Sequence, residues 1–443
     1  MSADHSGAVR PALRVAALVD LEAGPAAGGH VKCWERLAAG ASDFAQSVDL
    51  TVYMQGRRRA VTPLAANARI VCLRPVLSTA RFRFLDRVAD HGDLAPCHPG
   101  LFAALRTADV IHTTDAHFAY ARTARLAARL FGRRLVHSLH TDTVAYVRHY
   151  FGEVISRVAG DGPLGRRMRD RWRLPDRLAA RMAGEIERHV GACAYLLTAE
   201  RADDVRLAEL LPPGRTRVLR RGVDKRLFHP CRRDRAGLAA RFGIPADRPL
   251  LAFAGRVDAP KRVMTLARAA RTLLDRGVPL HVAVAGQGPE MPAVAALLGP
   301  HVTLLGVVPQ TELAVVYASA ELFVFPSVVE TAGNVVLEAK ASGLPVLVAP
   351  QGTGHYVRTD GIDGVLVGSA EPAAWAEAAG ALLADPARRA AIATAARHHI
   401  ETDRPDWAQV VAQDLLPIWQ AAAQEQVRDS HVWPTHPAAD TAS

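Results

Sequence analysis

The feature that most constrains this chain is the recurrence of short apolar runs rich in Val, Leu and Ile, each followed by a longer stretch of helical periodicity. Runs of this kind fit strands covered on both faces, and strand–helix alternation is how a parallel sheet acquires that cover. A first series comprises the strands expected at 14–20, 50–54, 69–73, 109–112, 134–139, 195–199 and 216–219. A second comprises 249–255, 280–286, 301–306, 321–327, 345–349 and 364–367. Between them lies RRGVDKRLFHPCRRDR, a polar stretch with Gly and Pro that reads as a linker. The chain, with 443 residues and 49% hydrophobic content, also exceeds what one core usually holds. The expectation is therefore two doubly wound α/β domains in tandem, with boundaries at 1–220 and 221–402. A helix at 403–425, anchored by Trp407, is expected to return to the first domain. The tail 426–443 lacks periodicity and reads as disordered.

No run of about eighteen apolar residues occurs, and MSADHSGAVRPALR does not read as a secretory signal, so a cytoplasmic protein is expected. Cys33, Cys72, Cys97, Cys193 and Cys231 are scattered and include no C-x-x-C pair, which reads as buried, reduced thiols. The formal charge of +10 is carried by arginine, because the only lysines are Lys32, Lys225, Lys261 and Lys340. That balance suits a phosphate ligand, an anionic membrane or a nucleic acid, and equally a biased genome composition. An aromatic content of 6%, dispersed arginines and no recognisable binding module argue against nucleic acid.

The segment VVETAGNVVLEAKASGLPVLVAP carries the most chemistry. Its helix is expected to start near Gly333 and Asn334 and to end at Gly343, with Pro345 beyond. The free amides of Gly333, Asn334 and Val335 then point from a helix start at the carboxyl edge of a parallel sheet, where an anion is well placed. Glu330 precedes that start and Glu338 lies about one turn inside. Carboxylates accept hydrogen bonds from sugar and ribose hydroxyls, so the pair is read as flanking a phosphate site rather than binding the phosphate. A second group is AGRVDAPKR, where Gly255 permits a tight exit from the strand and Arg256 and Lys261 can stand on one side of a loop. Two such cations neutralise a diphosphate and stabilise the charge that grows on it as it leaves. In the first half, Gly28 and Gly29 would let main-chain amides approach a phosphate at the next helix start. His140, after the strand RLVHSL, can donate a hydrogen bond to a sugar.

With these residues assembled, the chain resembles the retaining GT-B glycosyltransferases of family 4, from about residue 14 to 425. The resemblance rests on Gly28-Gly29-His30, the HTD tripeptide 140–142, RRGVDKRLFHP, AGRVDAPK, AGQGPE, VFPS and the E-x7-E spacing of Glu330 and Glu338 within ETAGNVVLEAKASGLPV. It implies two Rossmann-like domains facing across a cleft, the second holding a nucleotide sugar and the first an acceptor. It also implies that Arg256 and Lys261 contact the donor diphosphate, with Gly29 beside it. Glu338 is assigned to the ribose, Glu330 to the sugar hydroxyls, His140 to the sugar near the reacting carbon, and Gly306 and Val307 to the base through main chain. The expected activity is retaining transfer of a hexose to a glycan or lipid-linked hydroxyl, with no cofactor and no metal, since no D-x-D cluster is present.

Two departures bear on the donor. Ala332 stands where Phe is common, and His355 in QGTGHYV stands where many relatives carry an acid. The E-T-x-G-N-V-V-L-E-A form is frequent in mannosyltransferase-like members, which puts GDP-mannose first with UDP-hexoses close behind. The stretch 162–190 concentrates arginines among Leu, Met and Trp172, the composition of a peripheral contact with anionic membrane. Competing readings are a nucleotide-sugar epimerase, a glycosyl phosphorylase, an inactive partner subunit and a basic nucleic-acid-binding protein.

Overall fold

The structure of the protein is a computed structural model that describes residues 12–24, 27–82, 91–140, 151, 154–156, 159–160, 162–200, 205–330 and 333–430. Thr141, Asp142 and Ala332 of the motifs above, and the tail from residue 431, lie outside the described residues. The chain divides into two compact units. One is 1–23, 33–219 and 411–443, and the other is 24–32 and 220–410.

The first unit is built on eight strands: β1 (Leu13–Glu22), β2 (Val48–Gln55), β3 (Ala60–Ala65), β4 (Ala68–Leu73), β5 (Val110–Thr113), β6 (Arg134–Ser138), β7 (Tyr195–Thr198) and β8 (Thr216–Val218). Their order is β3-β4-β2-β1-β5-β6-β7-β8, and every pairing is parallel except β3 with β4. β1, β2, β5 and β6 supply the runs foreseen from the sequence, and Val15, Leu18, Val52, Ile111 and Val136 are buried. β3 has no counterpart among the expected strands. It is an exposed edge strand, AVTPLA, that contains Pro63, so it offers neither an apolar run nor alternation to read.

The second unit has six parallel strands: β9 (Leu250–Ala254), β10 (His281–Ala285), β11 (Val302–Gly306), β12 (Leu322–Phe325), β13 (Val346–Val348) and β14 (Val365–Leu366). Their order is β11-β10-β9-β12-β13-β14. Successive strands step one way from β9 to β11 and the other way from β12 to β14. The reversal between β9 and β12 is the place where an open α/β sheet leaves a crevice beyond its carboxyl ends. All residues of β9, β10 and β12 are buried, as strands covered on both faces require.

Three expectations need correction. The segment RRGVDKRLFHPCRRDR is packed rather than a free linker, because Val223 and Phe228 sit in the second core at 1% exposure each. Trp407 belongs to the second unit, where its backbone and ring lie within 3 Å of where a Cβ on Gly222 would stand, and the crossing back to the first unit comes at Val410/Val411. Beyond it the helix Leu416–Ser430 packs on β5 and β6 and runs past 425, with Glu425 accepting from Tyr195 (2.8 Å) and paired with Arg215. All five thiols are free, but Cys72 and Cys97 are half-buried and Cys231 is exposed.

Candidate functional site

At the reversal of the second sheet, the sequence GRVDAPK folds around Asp258. Its carboxylate accepts from the Lys261 amide (3.3 Å), capping the turn Ala259–Lys261, and also pairs with Arg256 Nε (3.0 Å). One acid therefore fixes the loop and orients the first cation. The second cation, Lys261, extends to Glu330, which follows β12, and the two are ion-paired with only 17% and 14% of their side chains exposed. The pair joins the loops on either side of the reversal. Arg256 and Lys261 thus do stand in one loop, but each is already matched to a carboxylate. An anion entering this loop would have to share them, which an ammonium with three donors permits.

The helix Asn334–Ala341 starts beside this pair. Gly333, its N-cap, has φ of 50°, and a Cβ there would lie 2.1 Å from Thr353 Cγ2, so glycine is required both by backbone and by contact. Among the described residues, no side chain caps the helix start. The segment Gly352–Thr353 lies against the loop after β12, since a Cβ on Gly352 would be 3.0 Å from the Ser327 carbonyl oxygen and 3.4 Å from Glu330 Cβ. Three polar atoms here are buried with no hydrogen-bond partner among the described residues: Ser327 Oγ, Asn334 Oδ1 and Thr353 Oγ1. Buried polar groups are rarely left so, and each such group calls for an account. These three lie around a helix start at the carboxyl end of a parallel sheet, a place suited to a polar ligand.

Glu338, inside the helix, is buried at 3% exposure, not the surface charge that its helical position alone would suggest. Two residues on, Lys340 is fully buried and donates to the Tyr356 carbonyl (2.7 Å) and to Asp363 Oδ2 (2.6 Å), with His399 Nδ1 at 2.9 Å. Burial pushes the Lys340 ammonium down to about 8, against the pull of Asp363. Despite its own burial, Asp363 is held well below the usual carboxylate range by hydrogen bonds from His399 and Lys340. This cluster ties the helix to the β13–β14 connection.

The remaining residues of the second unit lie on the same sheet edge. Gly306 ends β11 with φ of 66° and its carbonyl accepts from Gly286 (2.7 Å), while Val307 is 39% exposed. Gly286 comes so close to β9 that a Cβ would be 1.8 Å from the Gly255 oxygen. The next loop, Gln287–Glu290, bonds to both sides of Val257. Glu290 Oε2 is buried without a hydrogen-bond partner among the described residues, and burial raises its pKa. His355 turns its Nδ1 to the Gly352 carbonyl (2.9 Å). Gly28 precedes and Gly29 begins the helix Gly29–Gly40, and a Cβ on Gly29 would meet nothing within 4 Å, so packing does not demand that glycine.

In the first unit, His140 lies just beyond β6 at 5% exposure. Its Nε2 is 2.8 Å from Ser138 Oγ and receives the Trp34 indole N–H at 3.2 Å. Ser138 Oγ is in turn 2.8 Å from His112 Nε2, and Trp419 Nε1 donates to His112 Nδ1 at 2.9 Å. Burial pushes His112 down to about 3, so it is neutral. The sequence flagged His140 alone. Its supports come from four separate stretches of chain and leave no local pattern.

Among the described residues, no group of three or more His, Cys, Asp or Glu could hold a metal ion, and no helix is long and apolar enough to cross a membrane.

Comparison with known proteins places these features in one family. Residues 248–385 match the model of the glycosyl transferases group 1 family. A D-inositol 3-phosphate glycosyltransferase of Catenulispora acidiphila is 34% identical over 73% of this chain and 75% of its own length. Among solved structures, a sucrose-phosphate synthase of Thermosynechococcus elongatus superposes with a TM-score of 0.64 at 19% identity, covering 95% of this chain and 98% of that one. HepE of Anabaena, in complex with UDP and glucose, gives 0.62 at 17% identity, covering 90% and 98%. These neighbours share the GT-B fold of two parallel-sheet α/β domains, and the chain is a glycosyltransferase that belongs to the glycosyl transferases group 1 family.

Proposed function

We propose that the protein transfers a hexose, with retention, from a nucleoside-diphosphate sugar held by its second unit to an acceptor hydroxyl. The observation that carries this reading is the helix start at Asn334, uncapped among the described residues, with three buried polar atoms that have no hydrogen-bond partner among those residues beside the Lys261–Glu330 pair. There the amides of Asn334 and Val335 and the cations Arg256 and Lys261 meet the diphosphate. Gly29, with the open space beside it, lets main-chain amides there approach the diphosphate oxygens, and Gly28 with it. Glu338 accepts from the ribose hydroxyls and Glu330 from those of the sugar, while the main chain at Gly306 and Val307 meets the base. His140 donates to the sugar near its reacting carbon.

Transfer follows from these assignments without a protein nucleophile. The bond from the anomeric carbon to the diphosphate oxygen breaks as the bond to the acceptor oxygen forms on the same face. The acceptor proton passes to the departing phosphate oxygen. Arg256, Lys261 and the helix amides stabilise the charge left on that group, and no metal is assigned a part. The donor is GDP-mannose or a UDP-hexose. The relatives named for D-inositol 3-phosphate add a phosphorylated cyclitol to glycans and lipid-linked hydroxyls as acceptors to be tried.

A nucleotide-sugar panel tests the reading, with thermal shift for binding and product NMR for transfer, in EDTA. One nucleotide sugar is expected to stabilise the wild type and Lys261→Ala to reduce that shift. A wild type that neither binds nor transfers any of them sinks the reading, and activity restored only by Mg²⁺ or Mn²⁺ sinks its metal-free part.

Membrane association is part of the same proposal. Leu164 (55% exposed) and Trp172 (45%) stand out among exposed Arg166, Arg167 and Arg171. Sedimentation with anionic liposomes at low salt is expected to carry the protein down, and its failure removes this element alone.

A further inference from the structure

The hydrogen bonds behind His140 have a fixed direction. An indole N–H can only donate. Trp419 Nε1 donates to His112 Nδ1 (2.9 Å), so Nδ1 carries a lone pair and the proton of the neutral ring sits on Nε2. That Nε2–H faces Ser138 Oγ at 2.8 Å, and the serine hydroxyl is left to donate onward. Its neighbour on the other side is His140 Nε2, also at 2.8 Å. Trp34 Nε1 donates to the same His140 Nε2 at 3.2 Å. Two donors thus converge on one ring nitrogen and together hold it unprotonated, the serine at the shorter distance. The His112 ring also packs edge to face with Trp34 at 4.8 Å and with Trp419 at 5.9 Å, and turning it over would break its hydrogen bonds to Trp419 and Ser138 together. Trp34, His112, Ser138 and Trp419 are each exposed by 0%. Water has no access to reverse the chain of donors.

We infer that Trp34, His112, Ser138 and Trp419 are positioning residues that lock His140 as the neutral imidazole with its proton on Nδ1. The inference rests on the proposed role of His140 at the sugar. A ring held this way offers Nδ1–H as a hydrogen-bond donor and carries no positive charge. Both properties suit a group beside a reacting sugar carbon, where positive charge develops in the transition state and an imidazolium would oppose it. Protonating His140 would place an Nε2–H against the Trp34 indole N–H and against a serine already accepting from His112. The buried network makes the neutral donor the state that needs no rearrangement.

The test reads the tautomer directly, by ¹⁵N NMR of the histidine-labelled protein, with the resonances assigned by their loss in His140→Gln and His112→Gln. His140 is expected to show a pyrrole-type Nδ1 and a pyridine-type Nε2, and His112 the reverse. Ser138→Ala should mix the His140 tautomers and lower kcat about tenfold, the worth of one lost hydrogen bond, with the donor KM unchanged. Ser138→Thr, which keeps the hydroxyl, should restore both readouts. An Nε2-protonated or charged His140 in the wild type overturns the inference. So does a Ser138→Ala variant with wild-type tautomer and kcat. Trp34→Phe gives a second route to the same shift if Ser138→Ala folds poorly. Because the tautomer is read without substrate, it stands or falls apart from the transfer reaction. A wild type with the expected tautomer but no sugar transfer would count against the proposed function alone.

Discussion

The carboxyl edges of the two sheets are furnished in opposite ways. In the second unit the edge carries charged groups matched to one another, Arg256 with Asp258 and Lys261 with Glu330, and a helix start whose neighbours have unmet polar atoms. In the first unit the edge carries a neutral chain from Trp419 through His112 and Ser138 to His140, in which donor meets acceptor at each step. The difference teaches what each edge can offer a nucleotide sugar. Under the proposed function, the charged edge re-pairs to take up and stabilise a diphosphate. The neutral edge is saturated behind His140 and can only present that ring in a fixed state.

The largest expected effect breaks the charged side at its foundation. Lys340, Asp363 and the Tyr356 carbonyl form a buried cluster beneath the helix that begins at Asn334. Asp363→Asn leaves the fully buried ammonium without its counter-charge and should lower stability by about 3 to 5 kcal/mol at pH 7. The sign of the pH dependence follows from the depressed pKa of Asp363. Its contribution is present above the unfolded carboxylate value of about 4 and is lost as pH falls through the lower folded value. The gap between wild type and variant should therefore close in acid. Denaturant titrations at pH 7 and pH 3 measure it, and a gap that persists unchanged at pH 3 contradicts the account.

Next in size is the loss of a cation at the site. Lys261→Ala and Arg256→Ala should each cost about 10²- to 10³-fold in kcat, the scale of removing one donor from a developing anion. The melting temperature of Arg256→Ala should stay near that of the wild type, since Arg256 is about a third exposed, whereas Lys261→Ala also leaves the mostly buried Glu330 carboxylate unpaired and should melt lower. Ser138→Ala, on the neutral side, should cost only about tenfold. Steady-state kinetics of the three variants rank the two edges. Equal losses would erase the distinction between them.

The same difference explains what the sequence disclosed. The second unit's site is built from near neighbours in the chain, and GRVDAPK and ETAGNVVLEAK each encode a turn or helix start together with its charges. Glycines at positive φ, such as Gly333, and cations a few residues away are therefore visible as motifs. Ser327 and Thr353 were not singled out, because a lone hydroxyl in a loop has no signature until the fold buries it. The Lys261–Glu330 pairing spans 69 positions and was likewise invisible, so Glu330 was assigned to the sugar without its partner. In the first unit the distances in sequence are longer still. Trp419 reaches His112 across 307 positions and Trp34 reaches His140 across 106. The strands could be read because apolar runs are a local property, and β3 escaped because an exposed edge strand with a proline has no such run.

The smallest expected effects separate the two glutamates. Glu338 is buried within the helix at 3% exposure, and Glu330 is paired with Lys261. Under the proposed assignments, Glu338→Gln removes a charged acceptor from the ribose and should raise the donor KM about tenfold with kcat little changed. Glu330→Gln leaves the sugar an amide oxygen but releases Lys261 from its carboxylate, which strengthens the hold on the diphosphate before as well as after it departs. That gain offsets part of the loss at the sugar, and the weaker contact there should still lower kcat by about tenfold. Initial-rate kinetics with the donor varied resolve the two patterns. If both variants change KM alone, Glu330 belongs to donor binding as Glu338 does, and the charged edge has no residue that acts on the sugar during transfer.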